Sequence, residues 1–391
     1  MANFEPCIHR EFCGGCKYNG AVYDEVLTVK EKEALGHLKP RKLSPAVYGG
    51  MEGCPEGQRF CYRNKMEYTF GDFVKDGELC LGMHKLGNFM SVVTVDHCQL
   101  VHLDFNRILR FTLDFAVENG LKHYHKKSHS GLLRNLVVRR GVRTGELLIN
   151  LVTSSEPGLD EEAWLAGLMA LPLENRIVGV LHTINDDLAD AVICDELRIL
   201  YGRDYYMEEI CGLKFKVNAF SFFQTNIEAV ERLYTQATDL LAAQGTEGKT
   251  VFDLYCGTGT ISQIIASRAG RVVGVELVQD SVDAAEENVK LNGIENCSFL
   301  CGDVFKTLDG LEELPDAIIV DPPRAGMREK AVAKIASYGV EKIVYVSCNP
   351  KTLAIDAEQF ASLGYCLDYL KLYDNYPWTK HVEAVALLSR A

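Results

Sequence analysis

The sequence predicts a doubly wound parallel α/β sheet over residues 216–391, preceded by an α+β region over residues 1–215 that carries a cysteine cluster. Three observations carry this reading. From Thr250 onward, short apolar runs alternate with helical stretches, the rhythm of strand–helix–strand units. The first 215 residues instead show short strands parted by glycines such as Gly71, Gly82 and Gly141. Cys7, Cys13 and Cys16 stand close together at the start.

Taken in order, a helix is expected over 18–38, where Val22, Val26 and Val29 recur at helical spacing, placed so that it is able to pack on the C-terminal sheet. Strands are expected at Met66–Phe70, Leu132–Arg139 and Glu146–Val152. Thr225 and Glu228 have the spacing of a capping box that opens a helix. The sheet then reads as strands Thr250–Tyr255, Arg271–Glu276, Cys297–Cys301, Asp316–Asp321 and Lys342–Ser347, with helices at Thr260–Ala269 and Asp280–Leu291 between the first three. Gly364–Tyr373 and Lys380–Leu388 close it as a hairpin-like pair.

Composition narrows the function. A chain of 391 residues allows two or three domains. Lys plus Arg number 41 and Asp plus Glu 54, a formal charge of −13, so nonspecific coating of nucleic acid through net charge is excluded and any such contact is a local patch. No apolar run reaches membrane-span length and no leader pattern opens the chain, so a cytoplasmic protein with no membrane contact and no obligate protein partner is expected. Fourteen cysteines in a reducing compartment read as metal ligands or nucleophiles where they cluster.

Several motifs carry chemistry. Asp253-Leu-Tyr255-Cys-Gly257-Thr-Gly259-Thr260-Ile-Ser262 lies at a strand-to-helix turn, where glycines let a ligand approach the backbone. Ser262 replaces the third glycine of a dinucleotide fingerprint, which disfavours NAD and favours S-adenosylmethionine. Glu276 ends the next strand, where a carboxylate can accept from both ribose hydroxyls. Asp321-Pro-Pro-Arg324 ends another strand at the same edge. Cys348, before an Asn349-Pro350 helix start, sits where the helix dipole favours a thiolate and so suits a nucleophile. Glu383 lies in an otherwise apolar strand, where desolvation raises a carboxyl pKa toward that of a useful base. Cys7, Cys13 and Cys16, with Cys98 as the preferred fourth ligand and His97 and His9 as substitutes, suit zinc or an iron–sulfur cluster alike. Two basic, aromatic runs, Arg59–Lys65 and Lys122–Lys127 continuing to Arg143, suit phosphates and unpaired bases.

Together these motifs resemble the S-adenosylmethionine-dependent RNA uracil-C5 methyltransferases over nearly the whole chain. Asp321-Pro-Pro-Arg324-Ala-Gly326 with Ser347-Cys348-Asn349 and Thr352 is similar to the family's nucleophile signature, and Tyr376-Pro-Trp378-Thr-Lys-His381-Val-Glu383 to its C-terminal one. The resemblance implies a class I, Rossmann-like methyltransferase domain with Cys348 as nucleophile and Glu383 as base. It implies a donor site lined by Gln224, Tyr255, Thr260, Glu276, Asp303 and Asp321. It also implies a [4Fe–4S] cluster on Cys7, Cys13, Cys16 and Cys98, as in the 23S ribosomal RNA branch, with no TRAM barrel before Cys7. Residues 1–215 are then the cluster-bearing, RNA-binding region and 216–391 the catalytic domain. Trp378 stands where the family often has histidine, and Asp303 where one branch has an amide. The expected reaction is methylation of C5 of a uridine in 23S ribosomal RNA through a Cys348–C6 adduct. Transfer RNA is the alternative substrate, and a noncatalytic zinc-stabilised RNA-binding protein the weaker alternative; an amino-group methyltransferase would leave Cys348 idle.

Overall fold

The computed structural model describes residues 5–188, 194–243, 245–309, 311 and 314–391. Its contacts divide the chain into two compact units, but not at a single cut. One unit comprises Met1–Ala21, Gly57–Glu209 and Val217–Phe220; the other comprises Val22–Glu56, Ile210–Lys216 and Ser221–Ala391.

The second unit is built on an eight-stranded sheet. Its spatial order is Val47–Glu52, Tyr365–Tyr373, Glu383–Arg390, Lys342–Ser347, Ala317–Val320, Thr250–Leu254, Arg271–Glu276 and Cys297–Cys301. Glu383–Arg390 runs antiparallel to both of its neighbours and the other pairings are parallel. The unit reaches back to residue 22 because strand Val47–Glu52 pairs with Tyr365–Tyr373, which a cut at residue 215 does not anticipate. Helices Tyr23–Gly36, Val304–Asp309, Glu329–Ser337 and Pro350–Ser362 share one apolar core with the sheet. Helix Ile227–Ala242 packs beside Thr260–Ala266 and against the strands Lys342–Ser347 and Glu383–Arg390.

Two local expectations are corrected. The first helix spans Tyr23–Gly36 and buries Tyr23, Val26, Lys30 and Ala34, while Val22 and Val29 are exposed. A lysine sits on the buried stripe because its charge is matched from another part of the chain, so a stripe drawn through valines alone points the wrong way. Helix Ile227–Ala242 is capped by Asn226, whose side chain accepts from the Ala229 N–H, and not by Thr225. The Asn349 cap and Pro350 start are as expected, with Asn349 accepting from the Lys351 N–H at 3.2 Å.

The first unit holds a seven-stranded sheet in the order Asn88–Thr94, Leu79–Lys85, Lys65–Asp72, Leu133–Arg140, Glu146–Thr153, Arg176–Ile184 and Glu196–Gly202. Its pairings are antiparallel except between Glu146–Thr153 and Arg176–Ile184, which helix Glu161–Met169 joins as a crossover. Helix Leu103–Glu118 contributes Phe105, Ile108 and Leu109 to a core shared with Tyr68, Leu136 and Trp164. Among the described residues, no helix is long and apolar enough to cross a membrane.

Candidate active site

Strand register alone brings the two expected catalytic residues together. Ser347 pairs with Ala384 across the antiparallel ladder, so the next position on each strand sets Cys348 against Glu383. Asp321 follows Ala317–Val320, the neighbouring parallel strand, at the same carboxyl edge. Glu383 is buried, and its carboxyl is pushed up to about 8 by that burial and by Asp321, against the pull of Arg324. Burial likewise raises Asp321 to about 7.

Cys348 departs from expectation. Burial, then Glu383 and Asp321, push its thiol up to about 11, and a hydrogen bond from Arg324 only partly opposes them. Two carboxyl groups and desolvation outweigh the helix N-terminus, so the resting side chain is a thiol. Arg324 also donates from Nη2 to His381 Nδ1 at 3.0 Å, and its carbonyl accepts from Asn349 Nδ2 at 2.9 Å. Arg324 therefore ties the loop of one strand to the helix start of the next.

The glycine-rich turn is strained where a ligand would lie. Tyr255, Gly257 and Gly259 have φ of 65°, 53° and 71°, and a left-handed tyrosine is rare without a function. A Cβ at Gly259 would lie 2.7 Å from the Phe299 ring, so glycine is required there. Glu276 takes the Gly257 N–H on one carboxylate oxygen at 3.0 Å and the Leu277 and Val278 N–H groups on the other, which fixes its orientation while leaving lone pairs for hydroxyl donors. Asp253, beneath the turn, accepts from Ser262 Oγ at 2.6 Å and is raised to about 7 by burial and by Asp321 and Glu276. Ser262 thus does structural work that a third glycine could not.

The remaining expected donor-site residues fall into two groups. Tyr255 is raised to about 12 by burial and then by Asp303, which places these two near each other, and Thr260 opens the following helix. Gln224 donates to Tyr234 Oη at 2.8 Å and accepts from Tyr376 Oη at 3.4 Å. Burial, Asp321, Tyr376 and Glu383 all raise Tyr234, which links Gln224 to the Cys348 end of the site. Tyr234 was invisible in the sequence, being one aromatic on the buried face of an amphipathic helix.

Residues 194–391 match the family described as tRNA (Uracil-5-)-methyltransferase. The chain belongs to this family. It is 44% identical to an uncharacterized RNA methyltransferase of Clostridium tetani over 97% of this chain and 82% of that protein. A Caldanaerobacter subterraneus protein of the same description is 45% identical over 99% and 85%. The tRNA (uracil-54, C5)-methyltransferase of Pyrococcus abyssi, solved with S-adenosyl-L-homocysteine, superposes with a TM-score of 0.77 at 26% identity, covering 96% of this chain and 86% of that one. The protein is an S-adenosylmethionine-dependent RNA (uracil-5-)-methyltransferase.

The methyltransferase also holds its C-terminal motif loop by a device that sequence reasoning missed. Lys30 Nζ lies 2.7 Å from Asp374 Oδ1 with both side chains fully buried, and it donates to the Tyr376 carbonyl at 3.2 Å. Tyr23 donates to Asp374 Oδ2 at 2.9 Å, and its ring meets Trp378 edge-on with centroids 5.4 Å apart. Trp378 itself has φ 69°. The available signal was the single lysine on a helical face that is otherwise apolar.

In the first unit, Cys7, Cys13, Cys16 and Cys98 converge. Burial comes first, and then Cys98, Cys13 and Cys7 raise the Cys16 thiol to about 12, while burial with Cys13 and Cys7 raises Cys98 to about 11. Among the described residues, the side chains within 4.8 Å of one another are instead those of His9, Asp96 and His97; no three cysteines meet that spacing. Arg110 Nη1 lies 3.4 Å from Asp96 and already supplies that trio with a positive charge.

Proposed function

We propose that the enzyme methylates C5 of a uridine through a covalent Cys348 adduct, and that the adjacent placement of Cys348 and Glu383 across one strand pair is the observation that carries this reading. Uracil C5 is too weak a nucleophile to take a methyl group unaided. Cys348 gives its proton to solvent and forms an S–C6 bond, which sends the C5=C6 electron pair toward C5 and the O4 carbonyl. S-adenosylmethionine supplies an electrophilic methyl group on a sulfonium, and C5 takes it with that electron pair. Glu383 in its ionised form then removes the C5 proton, the C5=C6 bond reforms, and the Cys348 sulfur leaves with its electrons. Arg324 offsets the carboxylate charge around the thiol. Gln224, Tyr255, Thr260, Glu276, Asp303 and Asp321 bind the donor in this scheme, with Glu276 oriented for hydroxyl groups and the buried Asp321 for positive charge.

For the RNA, the named comparisons favour transfer RNA over the ribosomal RNA expected from the cysteines, since both the family description and the Pyrococcus abyssi neighbour are transfer RNA enzymes. The second reading, a 23S ribosomal RNA uridine, is favoured by the convergence of Cys7, Cys13, Cys16 and Cys98 in the first unit. These cysteines would hold a [4Fe–4S] cluster, whose contribution would be rigidity of the N-terminal loop. Zinc, which takes four cysteine sulfurs at a Zn–S length near ~2.3 Å, is the alternative occupant of the same four cysteines. The enzyme would act in the cytoplasm.

The test is mass mapping of transfer RNA and of 23S ribosomal RNA after incubation with anaerobically purified protein and methyl-labelled donor. Label on C5 of a transfer RNA uridine supports the first reading, and label confined to ribosomal RNA replaces it with the second. Methylation retained by Cys348→Ala overturns the covalent mechanism in either case.

A further inference from the structure

The first unit holds a cavity of about 560 Å³ that the reaction scheme does not use. It lies where strand Lys65–Asp72 ends against the hairpin Leu79–Lys85 and Asn88–Thr94, and is completed by the loop from His123 to Lys127. Its volume falls within the range of small-ligand pockets, roughly 300–1,000 Å³.

Its chemistry is unusual for this chain. Lys75, Lys85, Lys126 and Lys127 line it against a single carboxylate, Asp72, in a protein whose formal charge is −13. Phe89, on its rim, is 62% exposed, and Met90 beside it 50%. Phe89 stacks on His84 with centroids 4.1 Å apart and planes 29° from parallel, and the Lys126 ammonium lies 4.6 Å from the Phe89 centroid. Burial lowers the pKa of His123, so this ring adds a flat neutral surface at neutral pH. Concentrated lysine charge beside an exposed stacked ring is the combination that single-stranded nucleic acid selects: charge for phosphate and a π-face for a base.

We propose that this pocket holds an unstacked nucleotide of the RNA substrate, its base on the His84–Phe89 stack and its phosphates on Lys126 and Lys127. An exposed cation–π contact is weaker than base–aromatic stacking, so Lys126 leaves the ring for a phosphate when a base arrives. The inference rests on the enzyme acting on RNA, and on neither the class of RNA nor the Cys348 adduct.

The probe is a fluorescein-labelled oligouridylate of about ten nucleotides, within the usual footprint of a single-strand site, titrated into the full-length enzyme at several salt concentrations. Phe89→Ala is expected to weaken binding about tenfold. Lys126→Gln with Lys127→Gln is expected to reduce the slope of log K against log salt by about 1.4, from about 0.7 per phosphate contact on a single strand. Photocrosslinking of 5-iodouridine-substituted probe to the unaltered enzyme is expected at Phe89 or Tyr124. Failure of the probe to bind, unchanged affinity and salt slope in both variants, or crosslinks confined to residues 221–391 would each overturn the proposal. Donor binding and the Cys348 adduct are read on the same samples, and their loss alone counts against the catalytic reading and leaves the pocket standing.

Discussion

Replacing Glu383 by glutamine should stabilise the free enzyme at neutral pH while stopping its turnover. The carboxyl is pushed up to about 8 from 4.5 by burial and by Asp321. A folded-state pKa above the unfolded one means a stability contribution that is complete below pH 4.5 and lost as pH rises through 8, because the unfolded chain ionises freely while the folded one does not. At pH 7 the loss is about 1.36 × (7 − 4.5), or about 3 kcal/mol, and it levels off near 5 kcal/mol above pH 8. Only 7% of Glu383 is exposed, so solvent screening reduces this little. Glutamine keeps the shape of the protonated acid and has no ionisation to lose. The assay is urea unfolding followed by Trp378 fluorescence in a Trp164→Phe background, so that the signal reports the unit containing the site. The stability gain should grow from under 1 kcal/mol at pH 5 to about 3 at pH 7. A gain that stays flat from pH 5 to 8.5, or a variant less stable at pH 8.5, would refute the electrostatic reasoning. The same variant should accumulate RNA adduct on Cys348, since addition precedes the step that needs the base.

Three further outcomes are expected. Donor binding should release protons and tighten between pH 6 and 8.5, because a cation favours the ionised forms of Asp321 and Glu383; calorimetric enthalpies that do not vary with the buffer's ionisation heat would exclude this. Lys30→Met should destabilise by about 3–5 kcal/mol by leaving Asp374 buried and unmatched, with much of the loss recovered in Lys30→Met with Asp374→Asn, as measured by urea unfolding. Cys16→Ser should weaken oligouridylate binding severalfold without changing donor affinity, because the cysteine loop is joined to the pocket hairpin by hydrogen bonds from Leu86 N–H to the Phe12 carbonyl at 2.7 Å and from Gly14 N–H to the His84 carbonyl at 3.0 Å; parallel losses in fluorescence and calorimetric titrations would contradict it.

What the sequence disclosed follows the reach of its signals. The parallel sheet was legible because each of its strands is a short apolar run bounded by turns, and Cys348 because Asn349-Pro350 marks a helix start immediately after such a run. The thiol's ionisation was not legible, since it is set first by burial and then by Glu383 and Asp321, which approach from two other strands. The buried face of the first helix was misread for the same reason: Lys30 belongs to it only because Asp374, distant in sequence, supplies the matching charge. Asn226 displaced Thr225 as cap through a one-residue difference in where the helix begins, the scale on which helix ends are always ambiguous. Phe89 and His84 stack beside a register shift between His84 and Lys85 in the hairpin, and no alternation pattern encodes either.

Asp253, Asp321 and Glu383 together explain why the resting site is inert and yet poised. Glu383, raised to about 8, is mostly protonated at neutral pH, Asp253 and Asp321, raised to about 7, are about half protonated, and Cys348 remains a thiol. A cysteine held as thiolate in a cell would be open to oxidation and to adventitious electrophiles. In the proposed mechanism Cys348 and Glu383, on adjacent strands, are activated when a cationic donor favours the ionised forms of the carboxyls beside them. The enzyme thereby accepts a less stable free state at neutral pH in exchange for chemistry confined to the loaded site, the trade expected wherever function requires buried ionisable groups.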